Sequence, residues 1–158
     1  MSDPDLYHYT ECGLDNVYLS GGVAFADTPR GRGVTIRDIE GLHRAIGLLL
    51  VREKKSLSGR EFRFLRHELN VTQQSLADLL GVSVQRVARW EKGKTAIDRP
   101  AERLIRLLYR EKVENNTAIT EPLQRLSELD EILLDEDGEK LAFAETREGW
   151  QPAELAAA

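Results

Sequence analysis

Residues 72–93, T-Q-Q-S-L-A-D-L-L-G-V-S-V-Q-R-V-A-R-W-E-K-G, decide the fold of this chain. Leu76 and Leu80 lie one helical turn apart and follow Thr72, whose hydroxyl suits the N-cap of a helix. Gly81 comes next, and glycine most readily adopts the left-handed conformation that ends a helix. The pattern therefore predicts a short helix, a tight turn at Gly81 and a second helix after it.

The second predicted helix has two different faces, and it begins after Ser83, another good N-cap. Its inward face is apolar and consists of Val87, Ala88 and Trp90. Gln85 and Arg89 are four residues apart, so both side chains leave the opposite face. Because Gln can form two hydrogen bonds to adenine and Arg two to guanine, this face suits the major groove of DNA. The alternative is a helical hairpin with a solvated polar face.

The spacing T-Q-x-x-L-A-x-x-L-G-V-S-x-x-x-V-x-x-W-E-x-G resembles the helix-turn-helix of the phage-repressor (Xre/Cro) family. The resemblance implies contacts to DNA base edges from Val84, Gln85 and Arg89. It also implies that Gln73 contacts a phosphate. Helix N-termini and nearby cations favour phosphate, and on this ground the further predicted phosphate contacts are Gln74, Ser83, Arg86, Lys92 and Lys94.

Three residues are assigned a structural role instead. Trp90 lies on the inward face of the second helix and is predicted to anchor the core rather than to stack on a base. Glu91 matches a family position that pairs with an arginine of the first helix, and Arg66 stands at that partner position. The resemblance therefore implies a contact between Arg66 and Glu91 that joins the first and third helices of the domain.

Charge is distributed unevenly along the 158 residues. The net charge is −5, but residues 58–111 carry 11 Lys and Arg against 7 Asp and Glu. Residues 112–158 carry 12 Asp and Glu against 4 Lys and Arg. The basic segment contains the helix-turn-helix pattern, and local charge is what attracts phosphate. The acidic end is interpreted either as a solubilising extension or as a segment that repels DNA and weakens non-specific binding.

Composition argues against several other classes of protein. Cys12 is the only cysteine, so neither an internal disulfide nor a cysteine-based zinc cluster is expected. His8, His43 and His67 are scattered, and we predict no metal and no cofactor. No catalytic triad or phosphate-binding glycine loop appears in a convincing context, so we predict no enzyme activity. The sequence shows neither a signal peptide nor a membrane-spanning run, which predicts a soluble cytoplasmic protein without a membrane partner.

The predicted fold is mainly α and comprises three segments. Residues 1–57 form a small α+β N-terminal unit, available as a dimer or partner interface. Residues 58–112 form a repressor-type helix-turn-helix bundle of four or five helices. Residues 113–158 form an acidic C-terminal extension.

Local patterns predict the elements of the N-terminal unit. Residues 1–10 are predicted to be loose. The runs NVYLS and VAFA flank Gly21-Gly22 and predict a β-hairpin about that turn. Residues 28–33 predict a loop, and the run GVTIRD predicts a third strand. Asp38 is the predicted N-cap of a helix over 39–54.

The bundle and the extension contain further predicted elements. The sequence Ser58-Gly-Arg-Glu61 has the capping-box pattern that opens a helix. The last helix of the bundle begins near Pro100, because proline suits the first turn of a helix. Beyond it we predict a helix over 120–129 and a hairpin about Asp137-Gly138.

The order of the segments is similar to that of zinc-finger/helix-turn-helix antitoxins, without their zinc cysteines. That resemblance implies a toxin protein as a partner. We predict a sequence-specific DNA-binding transcriptional regulator, and specifically a dimeric autorepressor on a palindromic operator, because one recognition helix covers only a few base pairs. One alternative is an antitoxin-like regulator that also neutralises a toxin. The other is a helix-turn-helix fold used as a protein-interaction module.

Overall fold

The computed structural model describes residues 6–115 and 141–153. These residues fall into two compact units, 6–115 and 141–153. Helices dominate the described chain, and short antiparallel strand pairs accompany them. The helix predicted over 120–129 and the hairpin predicted about Asp137-Gly138 lie outside the described residues.

Four short strands precede the first helix. They are β1 (Leu6–His8), β2 (Tyr18–Ser20), β3 (Val23–Thr28) and β4 (Gly31–Ile36). β1 pairs with β2 and β3 pairs with β4, both in antiparallel orientation. The predicted looseness of residues 1–10 is therefore wrong at β1, and the predicted strand after residue 30 is confirmed as β4.

The predicted hairpin about Gly21-Gly22 is wrong, because β2 and β3 belong to different sheets. The predicted loop over 28–33 is wrong as well, since only Pro29 and Arg30 connect β3 to β4. The physical reason is a competition between partners for β3. The three-residue strand β2 offers a short ladder, whereas β4 gives six paired positions from Val23↔Ile36 to Thr28↔Gly31.

Five helices follow in the described chain. They are α1 (Ile39–Glu53), α2 (Gly59–Glu68), α3 (Gln73–Leu80), α4 (Val84–Glu91) and α5 (Arg99–Glu114). The caps predicted from the sequence are confirmed. Asp38 accepts a hydrogen bond from the Gly41 backbone N–H, and Ser58 and Glu61 form the two bonds of a capping box. The predicted four helices between 58 and 112 are thus present as α2 to α5.

One hydrophobic core runs through the first unit. Its buried members come from both sides of residue 57 and include Tyr9, Leu19, Leu50, Phe62, Leu65, Val87, Trp90, Ile105 and Tyr109. Gly47 brings α1 close to α5, because a methyl group at this position would overlap the ring of Tyr109. The predicted domain boundary at residue 57 remains a prediction. Residues from both sides of it contribute to the same hydrophobic core.

Tyr109 provides a test of this core through its ionisation. Its side chain is 2 % exposed, and its hydroxyl donates to the His43 carbonyl oxygen at 3.4 Å. Burial, followed by the charge of Glu68, raises the pKa of Tyr109 to about 12 from an ordinary value of 10.0. A group with a raised pKa in the folded state stabilises the fold fully below its unfolded pKa and loses that contribution as the pH rises through the folded pKa.

We therefore expect the free energy of unfolding to fall between about pH 10 and pH 12 as the unfolded state loses the Tyr109 proton first. Urea denaturation followed by circular dichroism at stepped pH measures this decrease. Tyr109→Phe is the control and should make the decrease smaller, while Tyr7 and Tyr9, whose pKa values are also raised, and the lysines leave a residual slope. Identical profiles for the two proteins would contradict the assignment to Tyr109.

The second unit consists of one antiparallel hairpin in its described part. β5 (Phe143–Thr146) pairs with β6 (Gly149–Pro152), and all the residues of both strands are exposed. None of the helices described for this chain combines the length and the apolar character needed to cross a membrane.

Candidate nucleic-acid interface

The turn between α3 and α4 is fixed by backbone hydrogen bonds. Gly81 has a φ of 67°, in the left-handed region that favours glycine. Its N–H donates to the Asp78 carbonyl oxygen at 3.2 Å, and the N–H of Val82 donates to that of Ala77 at 3.0 Å. This pair of bonds is the Schellman arrangement, which satisfies the last carbonyls of a helix. These two backbone hydrogen bonds and the left-handed Gly81 therefore determine the angle between α3 and α4.

Helix α4 is anchored on one face and open on the other. Val87 and Trp90 are 0 % and 1 % exposed, and the Trp90 ring meets Phe62 edge-on with 5.8 Å between centroids. Gln85 and Arg89 are exposed on the outward face. Within residues 6–115 and 141–153, neither side chain makes a hydrogen bond or an ion pair. Both are therefore available to a partner.

A buried ion pair ties α4 to α2. The Arg66 guanidinium donates to both carboxylate oxygens of Glu91, at 2.8 and 2.9 Å, and the two side chains are only 9 % and 3 % exposed. Arg66 also donates to the Val71 carbonyl oxygen at 3.0 Å. The side-chain amide of Gln73 donates to Glu91 at 3.2 Å. The pair thus joins α2, α4 and the start of α3.

Residues 62–100 match the protein-family model described as helix-turn-helix. They form a helix-turn-helix domain of the phage-repressor type. The resemblance inferred from the spacing is thereby confirmed, and with it a DNA-binding regulator in general. No curated protein and no solved structure matches the chain.

The remaining predicted contacts of the helix-turn-helix domain differ in their surroundings. Lys92 and Lys94 are exposed, and no described residue pairs with them. Ser83 caps α4 by accepting from the Arg86 N–H at 3.2 Å, which leaves its hydroxyl proton free to donate. Val84 is half-buried and packs against the core, so only part of its surface faces outward.

Three predicted phosphate contacts have partners inside the protein. The first is Gln73, whose amide donates to Glu91. The amide of Gln74 donates to Asp78 at 2.8 Å. Arg86 pairs with Asp98 at 2.7 Å, and its guanidinium lies 5.9 Å from the centre of the Trp90 ring. Sequence reasoning missed Asp98, because nothing in the local pattern shows that the chain after α4 returns to that helix.

Proposed function

We propose that this protein is a sequence-specific transcriptional regulator that places α4 of its helix-turn-helix domain in the major groove of DNA. The observation that carries the proposal is the pair Gln85 and Arg89. Both are exposed on one face of a helix whose other face is buried, and both are free of partners in the described chain. The major groove, about 12 Å wide, admits an α-helix and displays the base edges that these two side chains can bond.

The proposed backbone contacts surround that helix. Lys92 and Lys94 follow α4, and no residue in the described part of the chain pairs with either cation. Gln73 and Ser83 stand at the starts of α3 and α4, where backbone N–H groups attract phosphate. To contact DNA, Arg86 breaks its ion pair with Asp98 and binds a phosphate instead. Such contacts position the protein on the duplex, whereas Val84, Gln85 and Arg89 supply the sequence preference.

We propose further that the regulator is a homodimer and an autorepressor. One α4 helix reads only a few base pairs, and two copies on a palindromic operator give the affinity that a regulator needs. In this proposal residues 58–112 bind DNA, residues 1–57 form a dimer or partner interface, and residues 113–158 are an acidic extension.

The test is a gel-shift and footprint on the DNA upstream of the gene for this protein. We expect two protected half-sites about one helical turn apart. Gln85→Ala and Arg89→Ala should each weaken binding to this site by a factor of roughly 5 to 150, the equivalent of about 1–3 kcal/mol for a bidentate base contact. Arg103→Ala removes an exposed arginine from α5 and should leave binding unchanged. Binding that ignores sequence and survives both α4 substitutions would refute the proposal.

A second candidate function adds a protein partner, as in an antitoxin-like regulator. Large apolar side chains are exposed on the N-terminal strands, and these are Leu6, Tyr18, Phe25 and Val34. Phe25 and Val34 are cross-strand partners in the β3–β4 pair, and neighbouring apolar side chains at a surface are a common sign of a protein interface. Calorimetric titration of the protein with the product of the adjacent gene tests this candidate, and absence of binding would remove it.

A further inference from the structure

A cleft of about 920 Å³ lies where the start of α2 meets the end of α4. Three cations line this cleft: Arg60 and Arg63 belong to α2, and Lys92 is the residue directly after α4. We call the cleft with these three residues the basic cleft. The two helices touch here, since a methyl group at Gly59 would overlap the Trp90 carbonyl oxygen and lie 2.8 Å from that of Glu91. The basic cleft is therefore continuous with the end of α4.

Two acids of the cleft, the buried Glu91 and the half-buried Glu68, have partners inside the protein. Glu91 is paired with Arg66, and Glu68 lies 2.8 Å from Nδ1 of His43. Arg66 therefore compensates the charge of Glu91 inside the protein.

The loop over 10–15 forms the acidic wall of the same cleft. Glu11 accepts hydrogen bonds from the Tyr7 hydroxyl at 2.5 Å and from the Thr10 N–H at 3.0 Å. Asp15 lies 3.6 Å from Arg60, and both of these side chains are mostly exposed. Arg60 thus has a loose, solvated partner.

Arg63 and Lys92 have no acidic partner in the described part of the chain. Among the described residues the Arg63 side chain donates one hydrogen bond, from Nε to Nε2 of His67 at 3.4 Å. Burial, followed by the charges of Arg66 and Arg63, lowers the pKa of His67. The carboxylates of Glu91 and Glu68 act on the same imidazole in the opposite direction, so His67 lies within reach of the charge of Arg63 and of both acids.

The dimensions of α4 indicate what occupies the cleft. An α-helix with its side chains is about 10–12 Å across, so a helix in the major groove, about 12 Å wide, has a phosphate backbone on each side. The end of the eight-residue helix α4 is therefore close to phosphate as well. Lys92 follows that end directly, and Arg60 and Arg63 are attached to the helix that abuts it.

We propose that the basic cleft binds backbone phosphates of the same duplex that α4 reads, with Arg60 and Arg63 as contacts outside the turn between α3 and α4. This inference rests on the proposed DNA-binding function. Asp15 competes with phosphate for Arg60, so the N-terminal segment moderates the affinity. The contacts are independent of base sequence, since they involve only phosphate.

The experiment measures the dissociation constant for the operator and for an unrelated duplex between 50 and 300 mM salt. For Arg63→Ala and for Arg60→Ala, the slope of log K against log salt should become shallower by about 0.9 for each lost phosphate contact. Each variant should lose affinity for both duplexes by the same factor, so the ratio of the two dissociation constants stays constant. Arg103→Ala, the control with the same charge change on α5, should retain the slope of the wild type. Unchanged circular dichroism spectra verify folding.

Asp15→Asn supplies the opposite signature. Removal of the competing carboxylate should tighten binding to both duplexes at low salt, with a smaller gain at high salt. A wild-type protein that binds no duplex would overturn the proposed function and this inference together. The inference alone would be overturned by a different result. In that case the wild type binds its operator, and Arg60→Ala and Arg63→Ala both show the same salt slope as Arg103→Ala.

Discussion

Glu91→Ala is expected to lower the free energy of unfolding by about 3–5 kcal/mol, the usual cost of removing one partner from a buried ion pair. The substitution leaves the Arg66 guanidinium 9 % exposed and without its carboxylate. It also removes the acceptor of the Gln73 amide. Because a domain of this size is typically stable by only about 5–15 kcal/mol, such a loss is a large part of the total. Urea denaturation monitored by circular dichroism at pH 7 measures it.

The double variant Arg66→Met and Glu91→Leu is the informative control. It removes both charges and fills the space with apolar groups, and such replacements of buried pairs are often neutral or stabilising. We expect it to be more stable than Glu91→Ala. Two results would contradict this explanation: a double variant as unstable as Glu91→Ala, or a Glu91→Ala variant that loses less than about 1 kcal/mol. Either would show that the cost of an unpaired buried charge does not determine the stability of these variants.

Gly59→Ala is expected to destabilise the protein by about 1–3 kcal/mol or more, the range for overpacking a core. The added methyl group would overlap the Trp90 carbonyl oxygen and crowd that of Glu91, and both atoms belong to the backbone of α4. No rotation of a side chain can relieve the overlap, so α2 and α4 must separate. Thermal denaturation measures the effect, and each kcal/mol should lower Tm by about 4–8 °C in a domain of 60–100 residues.

Gly41→Ala is the matched comparison for that substitution. A methyl group at Gly41 would also overlap another group, but this is the carboxylate of Asp38, which can rotate away. Loss of the Asp38 cap costs about 1 kcal/mol, and replacing glycine by alanine inside a helix returns about 1 kcal/mol. We expect almost no net change. If both substitutions lower Tm equally, the backbone overlap at Gly59 is not the cause.

Features that depend on a few neighbouring residues could be predicted from the sequence. The hydroxyls of Ser58, Thr72 and Ser83 each accept from a backbone N–H three residues later, so the capping chemistry lies within one turn. Gly81 supplies the left-handed conformation where the pattern requires it. These features fixed the helices around the turn, and the strong family spacing identified the domain.

Features that depend on a choice between distant partners could not be predicted in the same way. The flanking glycines suggested that β2 pairs with β3, but the longer ladder with β4 prevails. Arg66 and Glu91 are 25 residues apart, and only the family resemblance connected them. The basic cleft was missed because the approach of α2 to α4 at Gly59 becomes visible only in three dimensions.

The shared core has a consequence for how signals could reach the DNA-reading surface. Leu19 and Leu50 come from the N-terminal segment, and Val87 and Trp90 come from α4, yet all four belong to one hydrophobic cluster. The segments are therefore coupled as a cooperative folding unit, in which local opening of one part removes support from the other. A molecule that bound the N-terminal segment in its folded state would, by thermodynamic linkage, raise the population of intact recognition helix without touching it.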